Sequence, residues 1–220
     1  MAHRGGHCFA TENSLEAISC SLKHQSDIIE VDVRKSTDGI LYCYHGNYLE
    51  FIFPNFFFKK SFAELKKKYP TLATLQEVVK EVEEKALLFL DIKDKSITPE
   101  EFLSIIPTEK EIVIACFDLN YLCNLKDLPT NCKKVCNGGI LLTEEKKKKL
   151  IAAKVEGVEL FFWSWNEKNR ENLRKLGIGT TLAYWFLPSL VYLKKAKDSL
   201  WVCYDDFLFA KRWKENLLKK

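Results

Sequence analysis

A short apolar run followed by an amphipathic stretch recurs along the whole chain. The first run, Ala2-His3, is a clipped strand. Asn13-Ser14-Leu15-Glu16 predicts a helix start, with Asn13 as cap and Glu16 at the third position, and Leu15, Ile18 and Leu22 as the apolar stripe. Strand-like runs follow at 27–33, 40–45, 86–92, 112–117, 133–142 (around Val135 or Ile140), 157–163, 178–185 and 200–204. Helical patterns lie between them at 61–85 (interrupted near Pro70), from Pro99, at 119–125, after Thr143, from Asn166 to Gly177, from Pro188 and from about Phe207. Such alternation implies a parallel sheet. About eight strand–helix units suggest a compact α/β fold, a (β/α)8 TIM barrel with a clipped first strand; an open doubly wound sheet is the alternative. His3-Arg4-Gly5-Gly6 does not have the spacing of a dinucleotide-binding glycine fingerprint.

Composition narrows the class. The chain has 220 residues, 47 % hydrophobic and 29 % charged, as in an ordinary globular domain, and 1–220 reads as one domain. No apolar run approaches the roughly 18 residues of a membrane span. Lysine and arginine total 34 against 30 acids, a net charge of +4. That excess does not argue for a nucleic-acid partner, and Lys146–Lys149 reads as a solvated helix face. There are eight cysteines and no signal peptide before Met1-Ala2-His3-Arg4. Cys43, Cys116 and Cys203 lie in apolar runs, so reduced thiols and a cytoplasmic location are expected. Cys132-x-x-x-Cys136 has the spacing of half a zinc site but lacks a second pair.

The polar residues inside the strand patterns carry the candidate chemistry. Side chains two apart share a strand face, so Glu30 and Asp32 point one way while Ile29, Val31 and Val33 point the other. Asp91 and Lys93 repeat this on their own strand. Three converging acids, with Lys93 and Arg4 as the inward bases, form either a buried ion-pair network or a site for a divalent cation, Mg²⁺ or Ca²⁺. His3 and His45 end strand runs on the same rim and suit a general acid and base. Arg4 offers a planar fork for phosphate oxygens.

Together, His3-Arg4-Gly5, Glu12-Asn13, Glu30-x-Asp32, His45 and Asp91-x-Lys93 resemble the glycerophosphodiester phosphodiesterase family. The segments Ser61–Leu65, Pro70–Leu72 and Leu75–Val78 and the pair Phe117-Asp118 fit it too. The likeness is specific over 2–46, good to about 93 and thin after 120. It implies a barrel in which Glu30, Asp32 and Asp91 hold the metal, His3 and His45 are the acid–base pair, Arg4 and Lys93 bind phosphate, and Glu12 supports them from behind. The implied reaction is hydrolysis of glycerophosphodiesters to glycerol 3-phosphate and an alcohol. Three positions depart from the family: Gly46 where it has Asp, Asp91 where it has Glu, and Tyr204-Asp205-Asp206 in place of its closing signature. Tyr44-His45-Gly46 and Asp91-Ile92-Lys93 resemble instead the related sphingomyelinase D branch, whose substrates are choline phospholipids. A lysophospholipase D and a non-catalytic phospho-ligand-binding barrel are therefore the alternatives. The Phe-rich segment 51–58, followed by Lys59 and Lys60, offers either a peripheral membrane contact or a loop packed over the barrel mouth or against a subunit, with packing favoured. Trp163, Trp165 and Trp185, at late strand ends, either line the pocket or pack in the core.

Overall fold

The structure, a computed structural model, describes residues 1–7, 10–53, 57–125, 128–138, 142–161, 163–184 and 202–204. The chain organises into two compact units, Ala2–Lys110 and, with Met1, Glu111–Lys220.

In the first unit the clipped strand is a single parallel bridge between Ala2 and Ile29. The Ala2 N–H donates to the Ile28 carbonyl at 2.8 Å, and the Glu30 N–H donates to the Ala2 carbonyl at 3.0 Å. A 3-10 turn, His3–Gly5, follows at once. Helix α1 spans Leu15–Lys23, and its cap is Ser14, whose side chain accepts from the Ala17 N–H. Asn13 is therefore not the cap expected from its spacing to Glu16; it takes a left-handed conformation, φ 57°, one residue earlier. Gly5, at φ 75°, lies so close to α1 that a Cβ there would meet Ile18 Cγ1 at 2.9 Å, which is why the turn needs glycine.

Strand β1, Ile28–Lys35, is rich in β-branched residues and buried along all but its last position. It pairs in parallel with β4, Leu87–Ile92, and the register sets Glu30 opposite Phe89 and Asp32 opposite Asp91. On its other side runs β2, Leu41–Cys43, antiparallel, because the turn at 36–39 reverses the chain directly; β3, Ala73–Thr74, extends that hairpin. The run at 40–45 is thus a hairpin arm that returns from the Ser36-Thr37-Asp38-Gly39 turn.

Helices α2 (Tyr48–Ile52) and α3 (Phe62–Lys68) lie between β2 and β3, each opened by a capping box, from Asn47 and Ser61. Helix α4, Leu75–Val82, buries Leu75, Val78, Val79 and Val82 and packs on α1. Helix α5, Pro99–Leu103, has proline in its first turn.

The second unit repeats strand and helix regularly. Strands β5 (Ile112–Cys116), β6 (Cys132–Asn137), β7 (Gly157–Phe161), β8 (Gly179–Tyr184) and β9 (Val202–Tyr204) each pair in parallel with the next. Between them stand α6 (Leu119–Asn124), α7 (Glu144–Ala152) and α8 (Glu167–Lys175), capped by Asp118, Thr143 and Asn166. The lysine run of α7 is a solvated face, with Glu144–Lys147 and Glu145–Lys149 ion pairs. Trp165 is buried beside Arg170, whereas Trp163 is exposed. The helices expected after Pro188 and Phe207, together with Ile140, Trp185, Asp205 and Asp206, lie outside the described residues. Cys20, Cys43, Cys116, Cys123, Cys132 and Cys136 are free thiols, and among the described residues no cysteines converge as metal ligands. No helix among the described residues is long and apolar enough to cross a membrane.

Leu90, fully buried in β4, tests the core beneath the two acidic strands. Leu90→Ala is expected to cost about 2–5 kcal/mol, read as a fall in the urea midpoint at unchanged slope.

Candidate functional site

All the charged and imidazole residues singled out from the sequence as site residues lie in the first unit. Parallel register brings the acids together. Asp32 and Asp91 are neighbours across β1 and β4, and Glu30 shares the Asp32 face two residues back. All three are buried, and one carboxylate oxygen from each lies within 4.8 Å of the others. Among the described residues this is where such ligand atoms converge.

Two cations answer the acids. Lys93 places Nζ 2.5 Å from Asp91 Oδ2 and 3.1 Å from Asp32 Oδ1. Burial pushes the Lys93 ammonium towards losing its proton, but Asp91 and Asp32 outweigh it and hold its pKa well above the ordinary value. Arg4 donates its backbone N–H to Glu30 Oε2 at 2.6 Å and Nη1 to Glu12 Oε2 at 2.6 Å, with Nε 3.8 Å from Asp32 Oδ2. Glu12 thus fixes the Arg4 fork from behind. Arg4 is in a left-handed conformation, φ 50°, and its carbonyl accepts the N–H of Asn13, itself left-handed, at 2.8 Å. Two strained non-glycine residues tied to each other beside buried acids are typical of a functional site.

Asn13 is the residue that sequence reasoning missed here. It donates Nδ2 to Asp32 Oδ2 at 2.8 Å, while its Oδ1 accepts the Asp32 backbone N–H at 2.9 Å. This clasp fixes the Asp32 carboxylate. Its signal in the sequence, Glu12-Asn13 beside a helix start, also fits a capping residue.

The three acids are not equivalent. Burial, then the charges of Asp32 and Asp91, push the Glu30 carboxyl well above its ordinary range. Burial likewise raises Asp91, against the pull of Lys93. Burial also opposes ionisation of Asp32, but Lys93, His45, Arg4 and His3 together carry it below the ordinary carboxylate range. Asp91 Oδ1 is buried without a hydrogen-bond partner. Three oxygen donors with too few bases, one of them orphaned, fit a hard divalent cation.

The histidines flank this cluster. His3 is buried in the 3-10 turn, and both His3 and His45 act electrostatically on Asp32. His45 Nδ1 is 2.7 Å from the Gly46 carbonyl. A carbonyl only accepts, so Nδ1 carries the proton and Nε2 keeps its lone pair in the neutral ring. Burial lowers the His45 pKa, ahead of the opposing pull of Asp32. Arg34 holds the backbone here, donating Nε to the Tyr44 carbonyl at 3.0 Å and Nη2 to the His45 carbonyl at 2.7 Å. Its guanidinium stacks 3.9 Å from the Phe58 ring centre. That ring also explains Gly46, at φ 96°. A Cβ there would meet Phe58 Cζ at 2.9 Å, so the aspartate usual in the resembled family has no room. Phe58 therefore packs inward, whereas Ile52 and Phe53 of the same 51–58 segment are exposed. Pro54, Asn55 and Phe56 of that segment lie outside the described residues.

Comparison with known proteins gives a consistent picture. The profile of the "Glycerophosphoryl diester phosphodiesterase family" matches residues 3–176, well over half of the chain. No curated protein matches. Among solved structures, an Oleispira antarctica phosphodiesterase in complex with its product sn-glycerol-3-phosphate is 19 % identical, with 97 % of this chain and 95 % of that one covered and a TM-score of 0.78. A glycerophosphodiester phosphodiesterase from Thermotoga maritima is 22 % identical, with 98 % and 96 % covered and a TM-score of 0.75. One from Agrobacterium tumefaciens is 18 % identical, with 95 % and 97 % covered and a TM-score of 0.72. These likenesses show the fold, the (β/α)8 barrel.

The electrostatics and packing of the site set two expected outcomes. A raised Glu30 pKa means that its protonated form is the one favoured by folding. Its contribution is complete below 4.5 and is lost as pH rises through the folded-state value. In chelator at pH 7, Glu30→Gln should therefore raise the melting temperature, by roughly 2–4 °C per kcal/mol, and the gain should vanish below pH 4.5. Asp32→Asn should do the opposite, with its deficit shrinking as pH falls below 3.8. Separately, Gly46→Asp should cost about 1–3 kcal/mol in urea unfolding, and adding Phe58→Ala should relieve the steric part, leaving the cost of the positive φ.

Proposed function

The chain belongs to the glycerophosphoryl diester phosphodiesterase family, a family of phosphoric diester hydrolases, and from that premise we propose that it hydrolyses glycerophosphodiesters to glycerol 3-phosphate and an alcohol. The observation that carries this reading is the convergence of Glu30, Asp32 and Asp91 within 4.8 Å, beside Arg4, Lys93, His3 and His45. The product complex of the Oleispira antarctica relative supports a small glycerol phosphodiester as substrate.

Glu30, Asp32 and Asp91 are the residues that would hold the cation, Mg²⁺ or Ca²⁺. When bound, such an ion neutralises the acids and polarises a phosphoryl oxygen. Arg4 and Lys93 bind the phosphoryl oxygens and offset charge that builds on them in the transition state. Glu12 keeps the Arg4 guanidinium aimed, and Asn13 keeps Asp32 turned towards the cluster. His45 is the proton acceptor in this scheme. Its Nδ1 proton is committed to Gly46, its low pKa keeps the ring neutral, and Nε2 takes the proton of the attacking water or substrate hydroxyl. His3 then protonates the departing alkoxide.

His3→Ala and His45→Ala should each lower kcat about 10²–10⁴-fold, measured as glycerol 3-phosphate released from glycerophosphocholine, with the circular dichroism spectrum unchanged. Chelator should abolish turnover and Mg²⁺ or Ca²⁺ should restore it. Near-normal turnover in either variant removes the role given to that histidine. Inactivity of the wild-type protein with both ions across glycerophosphodiesters and lysophosphatidylcholine overturns the reading as a whole.

A further inference from the structure

Helix α2 is inverted in its exposure. Tyr48, Leu49, Ile52 and Phe53 are 79, 60, 48 and 57 % exposed, whereas Glu50, the one acid among them, is 1 % exposed. Tyr48 and Ile52, four apart, share one side of the helix, Leu49 is the next position round from Tyr48, and Phe53 follows at the C-terminal end. The other side is anchored. Glu50 Oε2 accepts the Asn47 N–H at 2.8 Å and the Tyr44 hydroxyl at 3.0 Å, and Oε1 accepts the Tyr69 hydroxyl. The helix cannot roll to hide its apolar side without stripping a buried carboxylate of these bonds. Of the other large exposed hydrophobics among the described residues, Phe117 and Trp163 pack on the Phe161 ring in the second unit, and Ile40 and Ile151 stand far apart in sequence. Four together within six positions make a patch of the kind that marks an interaction surface.

The charge around the patch selects its partner. From Tyr48 to Tyr69 the sequence holds Lys59, Lys60, Lys66, Lys67 and Lys68 against Glu50 and Glu64. Glu50 is buried, and Glu64 is engaged by the N–H and hydroxyl of Ser61. Lys59 and Lys67 are exposed, as are Lys66, which donates to the Leu72 carbonyl, and Lys68, whose Nζ lies 3.9 Å from Glu50 Oε1. Apolar and aromatic side chains followed in the chain by exposed lysines match the interface of a bilayer containing anionic lipid. A second copy joined across a two-fold axis would set the same lysine-rich surface against itself. We propose that the exposed side of α2 docks this protein on anionic phospholipid membranes. Tyr48 follows His45 by three residues, so docking brings the candidate site to the lipid surface, where diester headgroups are. The docking itself does not depend on the phosphodiesterase reading.

The test is co-sedimentation of the full chain with vesicles of phosphatidylcholine, alone or mixed with phosphatidylglycerol. The wild-type protein should pellet with the mixed vesicles, much less with phosphatidylcholine alone, and be released by high salt. Leu49→Ser/Ile52→Ser/Phe53→Ser should lower partitioning at least about ten-fold at an unchanged melting temperature. Lys59→Glu/Lys67→Glu should abolish the preference for phosphatidylglycerol. A wild-type protein that stays in the supernatant with both vesicles overturns the proposal, as does a triple variant that pellets like wild type. A wild-type dimer in light scattering that the triple variant converts to monomer, with no vesicle binding, gives the surface to a second copy and overturns it too.

Discussion

Three buried carboxylates confined within 4.8 Å are the constraint that orders the first unit. At an effective dielectric near 20, each pair of full charges at that spacing repels by something of the order of 3–4 kcal/mol. Lys93 and Arg4 answer part of it, and their pull is uneven. Asp32 receives both and stays ionised below the usual range, while Glu30 and Asp91 are driven upwards. A fold that only needed a buried ion pair would match acids and bases in number. An excess of acid with an oxygen of Asp91 left unbonded is instead an arrangement that a divalent cation completes.

Much of the local backbone makes sense as a way of holding that excess in place. Parallel pairing of β1 with β4 sets Asp32 beside Asp91 without any loop. The bridge at Ala2 delivers the Arg4 N–H to Glu30. The left-handed turns at Arg4 and Asn13 then let one short segment give Glu30 an N–H, Asp32 an amide and the cluster a guanidinium. The conformational strain in those two residues is offset by the hydrogen bonds to buried carboxyl oxygens that they make possible.

This is why part of the site is legible in the sequence and part is not. Strand periodicity places Glu30 with Asp32 and Asp91 with Lys93, and that reading needs only a two-residue repeat. The alternation of strand and helix is equally legible, since each amphipathic stretch carries its own period. Asn13 is misread because a cap and a side-chain clasp use the same chemistry, an amide beside free backbone N–H groups, and Ser14 can serve as the cap one position later. The reversal into β2 is legible as well, because Ser36-Thr37-Asp38-Gly39 is a turn sequence from which the run at 40–45 returns. Gly46 reads as a lost aspartate; what excludes a side chain there is a ring twelve residues away, and no local pattern reports it.

The region between β2 and β3 links the site to the surface. Phe58 is clamped under the Arg34 guanidinium and against Gly46, and the same Arg34 holds the carbonyls of Tyr44 and His45. The Glu50 carboxylate ties α2 to Tyr44 and Tyr69, whose rings are 4.7 Å apart. Inward packing thus fixes the backbone that carries His45, and it does so with an arginine, an acid and aromatic rings where a purely apolar core would serve. Using Glu50 as the anchor leaves Tyr48, Leu49 and Ile52 turned outward. The rigidity of the His45 loop and the exposed apolar face of α2 are therefore two consequences of one choice, the burial of a charged side chain in a helix of five residues.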